Sequence, residues 1–376
     1  MRALVNANIV LPDRVLEKGQ ILMEKGRILA IGQDLPLPEH CEYFDAQGLL
    51  AGPGFVDEHC HAGGDCWAYE DPVGMAKHHL LGGTTTLLCT IYHDIGVQGA
   101  LDAMEKVRTA MRQNAPGNIA GLFFEGPFLN PKYGCAFDKI RPVDPAEYTR
   151  YLREYRDILK LWMAAPELDG AKTFMDAVTA AGIPLAIGHS EADAACVADA
   201  VQRGARIAVH LCNATGTAIS PSRWEGTLEV SFDVACMLQK ELFCEIINDE
   251  NGVHVRHDMI RFIIQAVGLD RVIAVTDACT GAKDDTDVNI VDGDLFGSKL
   301  CMNQAARNFR NKIGLTEPEV FRVCALNAAR ALGMDKDVGS LAAGKQANIV
   351  LLDQAYQVRE VFLRAEHVVQ GGKLCI

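Results

Sequence analysis

Eight apolar runs of strand length recur along the chain, and each ends in polar residues: 54–61, 84–90, 119–126, 159–167, 184–190, 207–213, 242–249 and 271–278. Between most of them lie segments with helical periodicity, such as 97–114, 144–157, 169–182 and 192–204. Runs that are apolar throughout, rather than alternating, suit parallel strands covered on both faces. Eight strand–helix units fit the size of a (β/α)8 barrel. The competing α/β arrangement is a doubly wound sheet, but no glycine-rich dinucleotide fingerprint follows the first run. The expected fold is therefore a TIM-like (β/α)8 barrel.

The two ends read differently. Residues 1–50 hold short alternating strands (2–10, 20–25, 27–32 and 41–45), and residues 340–376 repeat that style at 347–353, 357–363 and 367–370. Neither segment is large enough to make a stable core alone. The expectation is one small β-sandwich domain built from 1–50 and 340–376, beside a catalytic barrel spanning 51–339.

The charge balance narrows the class of partner. With 36 Lys+Arg against 49 Asp+Glu, the net charge of -13 argues against nucleic acid or an anionic membrane, both of which select basic patches. The 13 cysteines show no C-x-x-C pair, so neither a disulfide scaffold nor a zinc ribbon is indicated. Thiols in that number suit a reducing compartment. The N-terminus lacks a signal-peptide core, and no apolar run approaches the ~20 residues of a membrane span. The expectation is a cytoplasmic protein acting on a small molecule.

The ends of the apolar runs carry the chemistry. The first closes on Asp57-Glu58-His59-Cys60-His61, and alternation along a strand puts His59 and His61 on one face. The third ends in Glu125, the fifth in His189, the sixth in His210 and the eighth in Asp277. Taken singly, each has a plain structural reading: a hydrogen-bonded core histidine, a salt-bridged glutamate, a helix-capping aspartate. Together they place His, Glu and Asp at the same end of one barrel, where barrel active sites sit. Imidazole and carboxylate without thiolate are the donor set of a catalytic Zn, Mn, Fe or Co site.

These residues also carry a family resemblance. The chain resembles the amidohydrolase superfamily, and within it the N-acetylglucosamine-6-phosphate deacetylase family. The matching stretches are Pro53-Gly54-Phe55-Val56-Asp57 with His59-x-His61, Glu125-Gly126-Pro127-Phe128-Leu129-Asn130, Gly188-His189-Ser190, His210-Leu211-Cys212-Asn213-Ala214, Gly252-Val253-His254-Val255 and Val275-Thr276-Asp277-Ala278. The tail from Gly339 to Val350 resembles the superfamily's return into its small β domain. The resemblance implies a divalent metal, zinc first among zinc, iron, manganese and cobalt, held by Glu125, His189 and His210. A second ion would use His59 and His61 with Glu125 bridging, so one or two ions are expected. It implies Asp277 as a metal ligand and as general base and acid, His254 contacting the substrate and helping the metal polarise its carbonyl, and Asn213 with the adjacent Ala214 backbone, together with Arg223, on the phosphate side. The implied reaction removes the acetyl group from an N-acetylated amino sugar 6-phosphate, in a homodimer.

Three departures from the family pattern bear on recognition. Phe137 stands where a histidine is expected, Arg223 sits two residues late for an arginine that reaches a neighbouring subunit's phosphate site, and Asn248-Asp249-Glu250-Asn251 replaces a shorter stretch. Losing a donor and adding Asp249 and Glu250 would weaken an anion site. The galactosamine epimer, an unphosphorylated sugar and an N-acyl amino acid are therefore rival substrates. Cyclic-amide hydrolases often use a carboxylated lysine where this chain has Glu125, which lowers that option. A non-catalytic sugar-binding protein would be expected to lack Asp277 or a ligand, and this chain has them all.

Overall fold

All eight runs form strands, and they pair in parallel in chain order: β1 (Phe55–Cys60), β2 (Thr84–Tyr92), β3 (Ile119–Glu125), β4 (Leu159–Ala164), β5 (Leu185–Ile187), β6 (Ala205–Ala208), β7 (Phe243–Ile247) and β8 (Val272–Val275). The computed structural model describes residues 1–133, 139–216, 229–291 and 293–376. Helices Gly96–Gln113, Pro145–Tyr155, Ala171–Ala180 and Ala194–Gln202 fill the segments whose periodicity predicts them. The starts of the second and fourth are locally encoded: Asp144 and Asp193 accept from the first-turn amides of Ala146 and Cys196.

The unbroken apolarity of the strands has a direct structural cause. Alternate residues Leu88, Phe123, Leu161, Met163, Ala186, Ile207, Ile273 and Val275 fill the barrel interior. Their neighbours Leu87, Leu122, Phe124, Trp162, Leu185 and Ala274 face the helices. Both faces of each strand are dry, so apolar residues dominate both, and polar side chains such as Asp57 and Glu245 persist there beside buried partners.

The seam between β8 and β1 is closed by side chains as well as backbone. Asp277 N donates to His59 O at 2.8 Å, and His61 N donates to Ala278 O at 2.9 Å. Beneath them the Thr276 hydroxyl donates to Asp57 Oδ2 at 2.6 Å, with both residues fully buried. Burial pushes the Asp57 carboxyl up to about 7 against the pull of Thr276.

The two ends of the chain do meet, in one continuous nine-stranded sheet. Leu50–Pro53 pairs antiparallel with Ile349–Leu352 and joins the N-terminal strands to the C-terminal ones. The sheet forks. Along one edge of Arg2–Val10, the first half pairs with Glu42–Asp45 and the second with Leu50 and Ala51. The branches enclose an apolar cluster that includes Leu4, Ile9, Met23, Leu341, Ile349 and Phe362.

Because Thr276 satisfies a buried carboxyl, Thr276→Val is expected to lower unfolding stability by about 1–3 kcal/mol, while Thr276→Ser stays near wild type. Urea denaturation at fixed metal content measures the difference.

Candidate metal centre and active site

Six side chains converge at the C-terminal mouth of the barrel. His59 lies in β1 and His61 just beyond it, and Glu125 is the last residue of β3. His189, His210 and Asp277 each lie two residues past the end of β5, β6 and β8. These three share a left-handed backbone, with φ of 45°, 27° and 47°. Such conformations cost non-glycine residues about 1–3 kcal/mol each and persist where the surroundings over-determine them, as at functional sites.

The contacts divide into two groups around Glu125. Its Oε1 lies 2.9 Å from His189 Nε2 and 3.2 Å from His210 Nε2, and those two nitrogens are 3.0 Å apart. Its Oε2 lies 3.0 Å from His61 Nε2, which is 3.3 Å from His59 Nε2. Asp277 Oδ1 sits 3.2 Å from His61 Nε2 and 3.5 Å from His59 Nε2. All six residues are buried.

Oxygen acceptors behind the rings fix their orientation. His59 Nδ1 faces Glu245 Oε2 at 2.9 Å, His210 Nδ1 faces Asn213 O at 2.9 Å, and His189 Nδ1 faces Tyr133 O at 3.3 Å. An acceptor at Nδ1 keeps the proton there and leaves the Nε2 lone pair aimed at the cluster.

Electrostatics follow from this crowding. Burial alone would lower the His61 pKa, but the Asp277 and Glu125 carboxylates hold it up at about 9. His59 is likewise raised well above the usual imidazole range against burial, by Glu125, Asp277 and Glu245. Burial opposes ionisation of Glu125, yet the surrounding histidines hold it well below the ordinary carboxylate value. Asp277 is lowered against burial by His59 and His61. Buried imidazole nitrogens 3.0–3.3 Å apart are poor neighbours when both carry protons. A divalent cation replaces those protons with one compact charge, and binding of this kind releases them. Among the described residues, two triads have the spacing to hold such an ion, His59–His61–Glu125 and Glu125–His189–His210, with donor atoms within 4.8 Å of one another.

The cluster opens into a cavity of about 290 Å³ whose lining includes His61, Glu125, His189, His210 and Asp277. Trp67, Tyr92 and Phe296 contribute aromatic rings to its lining, and Lys132, Tyr133, Asn213 and Ala214 contribute polar groups.

A sequence model of the amidohydrolase family matches residues 50–374. The chain belongs to the amidohydrolase family. It is a metal-dependent hydrolase acting on amide bonds. It is 26% identical to an N-acetylglucosamine-6-phosphate deacetylase of Bacillus subtilis, over 93% of this chain and 92% of that protein. It is 26% identical to an N-acetylgalactosamine-6-phosphate deacetylase of Escherichia coli O157:H7, over 93% and 95%. Among solved structures, the N-acetylglucosamine-6-phosphate deacetylase of Pasteurella multocida superposes with a TM-score of 0.87 at 26% identity, covering 98% of this chain and all (100%) of that one. A mutant of the Mycobacterium smegmatis enzyme in complex with N-acetyl-D-glucosamine-6-phosphate gives 0.83 at 28% identity, covering 98% and 99%.

In this amidohydrolase the residues read from sequence divide into three groups. His59, His61, Glu125, His189, His210 and Asp277 come together, and Asn213 and Ala214 line the same cavity. His254 stands behind it: its Nδ1 is 2.9 Å from Asp249 Oδ2 and its Nε2 is 2.9 Å from the Gly297 carbonyl. Arg223, Trp224 and Phe137 lie outside the described residues. The acidic pair expected to repel an anion does not face the cavity. Asp249 is tied to His254 and to the amides of Val253 and His254, which hold its carboxyl at about 2 despite burial. Glu250 pairs outward with Arg307.

Sequence reading passed over Glu245, although a glutamate inside Phe243–Ile247 is the same signal that marks Glu125. It also passed over Glu58, which is fully buried, with both carboxyl oxygens lacking hydrogen-bond partners among the described residues. Burial, with the adjacent Glu245 charge, pushes the Glu58 carboxyl well above its usual range.

Glu245 holds His59 from behind, so Glu245→Ala is expected to weaken zinc binding at the His59–His61 side by about 10- to 100-fold. Competition against a chromophoric chelator, with zinc counted per chain, measures this.

Proposed function

We propose that this chain removes the acetyl group from an N-acetylated amino sugar 6-phosphate, releasing acetate and the free amino sugar phosphate. The observation that carries the reading is Asp277. Its carboxylate touches the histidine donors at 3.2 and 3.5 Å and also lines the cavity. A base in that position reaches both a water at the cluster and an amide in the pocket.

His59, His61, Glu125, His189 and His210 would hold one or two divalent cations, zinc first by donor type. When bound, the cation supplies Lewis acidity toward water and the amide carbonyl. Asp277 accepts the proton of the attacking water at its carboxylate and returns it to the amide nitrogen as the C–N bond breaks, so water and amide become acetate and amine. Asn213 and the Ala214 backbone hold the polar end of the substrate. His254 acts from behind, keeping the Gly297 segment against the cavity. Arg223 would add a cation to the phosphate side. The barrel between residues 51 and 339 carries this chemistry, and the sheet built from 1–50 and 340–376 supports it.

The names of the relatives cover both the glucosamine and the galactosamine epimers, which supports the class of substrate and leaves the epimer to assay. One observation favours an unphosphorylated sugar as the second reading. The Lys132 ammonium at the cavity is paired with Glu191 at 2.6 Å rather than open to an anion.

A homodimer in the cytoplasm fits this function. Leu238, Met259 and Phe262 are exposed on the adjacent helices Phe232–Leu238 and His257–Val267, apolar side chains that a second copy would bury. No disulfide occurs among the described residues, and none of the described helices is long and apolar enough to cross a membrane.

On zinc-loaded protein, N-acetylglucosamine 6-phosphate and its galactosamine epimer are expected to be deacetylated in preference to both unphosphorylated sugars. No turnover of any of the four overturns the reading. Asp277→Asn is expected to lower kcat about 10²- to 10⁴-fold with zinc content retained, and undiminished turnover removes Asp277 from its role. Phe262→Glu is expected to halve the sedimenting mass; a single-chain mass for the wild type would remove the dimer.

A further inference from the structure

The cavity has two unlike ends, and the backbone ties each to a different half of the cluster. Tyr133 and Asn213, with Lys132 and Ala214 beside them, join it through carbonyl contacts to His189 and His210. The lining beside His61 is aromatic. Tyr92 stands edge-on to His61 with ring centroids 5.2 Å apart. Phe296 packs edge-on against both Tyr92 (6.0 Å) and Trp67 (6.2 Å), and Trp67 stacks on Tyr69 (5.4 Å).

Phe296 sits on a hairpin of β9 (Val288–Val291) and β10 (Asp294–Ser298) that is fastened to the strand end bearing Asp277. Ser298 N donates to Asp277 O and Cys279 N to Ser298 O, both at 2.8 Å. Asn289 Nδ2 donates to the Phe296 carbonyl at 2.9 Å, and His254 Nε2 lies 2.9 Å from the Gly297 carbonyl. At Gly297, φ is +56° and a Cβ would come within 2.5 Å of Asp277 O, so only glycine lets the hairpin approach this closely. The backbone flanking Phe296 is thus held against the strand end that carries Asp277.

An amide has two substituents, and the two ends of the cavity differ in the same sense. The amine side of an amino sugar phosphate carries hydroxyls and a phosphate, which need hydrogen-bonding partners when they leave water. The acyl side carries only carbon. With the carbonyl between Asp277 and the histidines, the sugar falls toward Lys132, Tyr133 and Asn213, and the acyl group falls against Tyr92, Phe296 and Trp67. We infer that Phe296, backed by Trp67 and Tyr92, sets the depth of an acyl subsite and limits it to acyl groups as short as acetyl. The inference rests on the amide-hydrolase reading of the site and adds to it the residue that selects the acyl group.

The test uses the N-acetyl, N-propionyl and N-butyryl forms of whichever amino sugar phosphate the zinc-loaded wild type hydrolyses best. Phe296→Ala is expected to raise the butyryl-to-acetyl ratio of kcat/KM by about tenfold or more, the scale on which a pocket senses added methylenes. Phe296→Leu, a milder change that keeps the fold supported, is expected to fall between. In both variants the ratio for phosphorylated over unphosphorylated N-acetyl sugar is expected to stay at the wild-type value. An unchanged acyl ratio in both, or a shift in the phosphate ratio instead, overturns the assignment and gives the ring to the sugar. If the wild type hydrolyses no amino sugar at all, the functional reading fails and this inference falls with it.

Discussion

A carboxylate sealed inside a protein must be matched by positive charge or by donors, because its desolvation otherwise exceeds anything the fold can offset. Glu125 is such a carboxylate, 2% exposed at the end of an apolar strand. Its two oxygens face four imidazoles that arrive from three other strand ends. The barrel is the frame that lets those strand ends point at one spot. No single helix or hairpin could bring residues 61, 189 and 210 within hydrogen-bonding reach of Glu125.

The supporting groups are as ordered as the donors. Glu245 and the carbonyls of Tyr133 and Asn213 occupy the outer ring nitrogens, so the inner ones are committed to the centre. Strained backbone at His189, His210 and Asp277 aims the side chains, and the Asp277 N to His59 O bond at the barrel seam anchors that turn. Stability and chemistry are therefore joined in one place: the contact that closes the barrel also seats the base.

Much of this was legible in the residues. Polar side chains that end long apolar runs are conspicuous, which is why His59, His61, Glu125, His189, His210 and Asp277 could be read without coordinates. The strands themselves were readable because burial on both faces removes any alternation. What stayed hidden depends on contacts between distant segments. Phe296 and Trp67 are ordinary apolar residues in sequence, and only the hairpin's attachment to Asp277 brings one beside the other. His254 and Asp249 illustrate the same limit. Sequence put them against substrate and phosphate, whereas the fold turns each toward the other. The forked sheet was unreadable for a related reason, since pairing along two halves of one strand edge leaves no trace in the apolar pattern.

The joining of Leu50–Pro53 to Ile349–Leu352 has a consequence in time. A ribosome adds about 5–20 residues per second, so the N-terminal strand edge waits on the order of 15–60 s for its partner to be made. During that interval the first strands of the sheet present an unpaired apolar edge while the whole barrel is synthesised between them. The domain that begins the chain is thus among the last to be completed. Newly made copies crowded on one message are most exposed to pairing with each other through that edge.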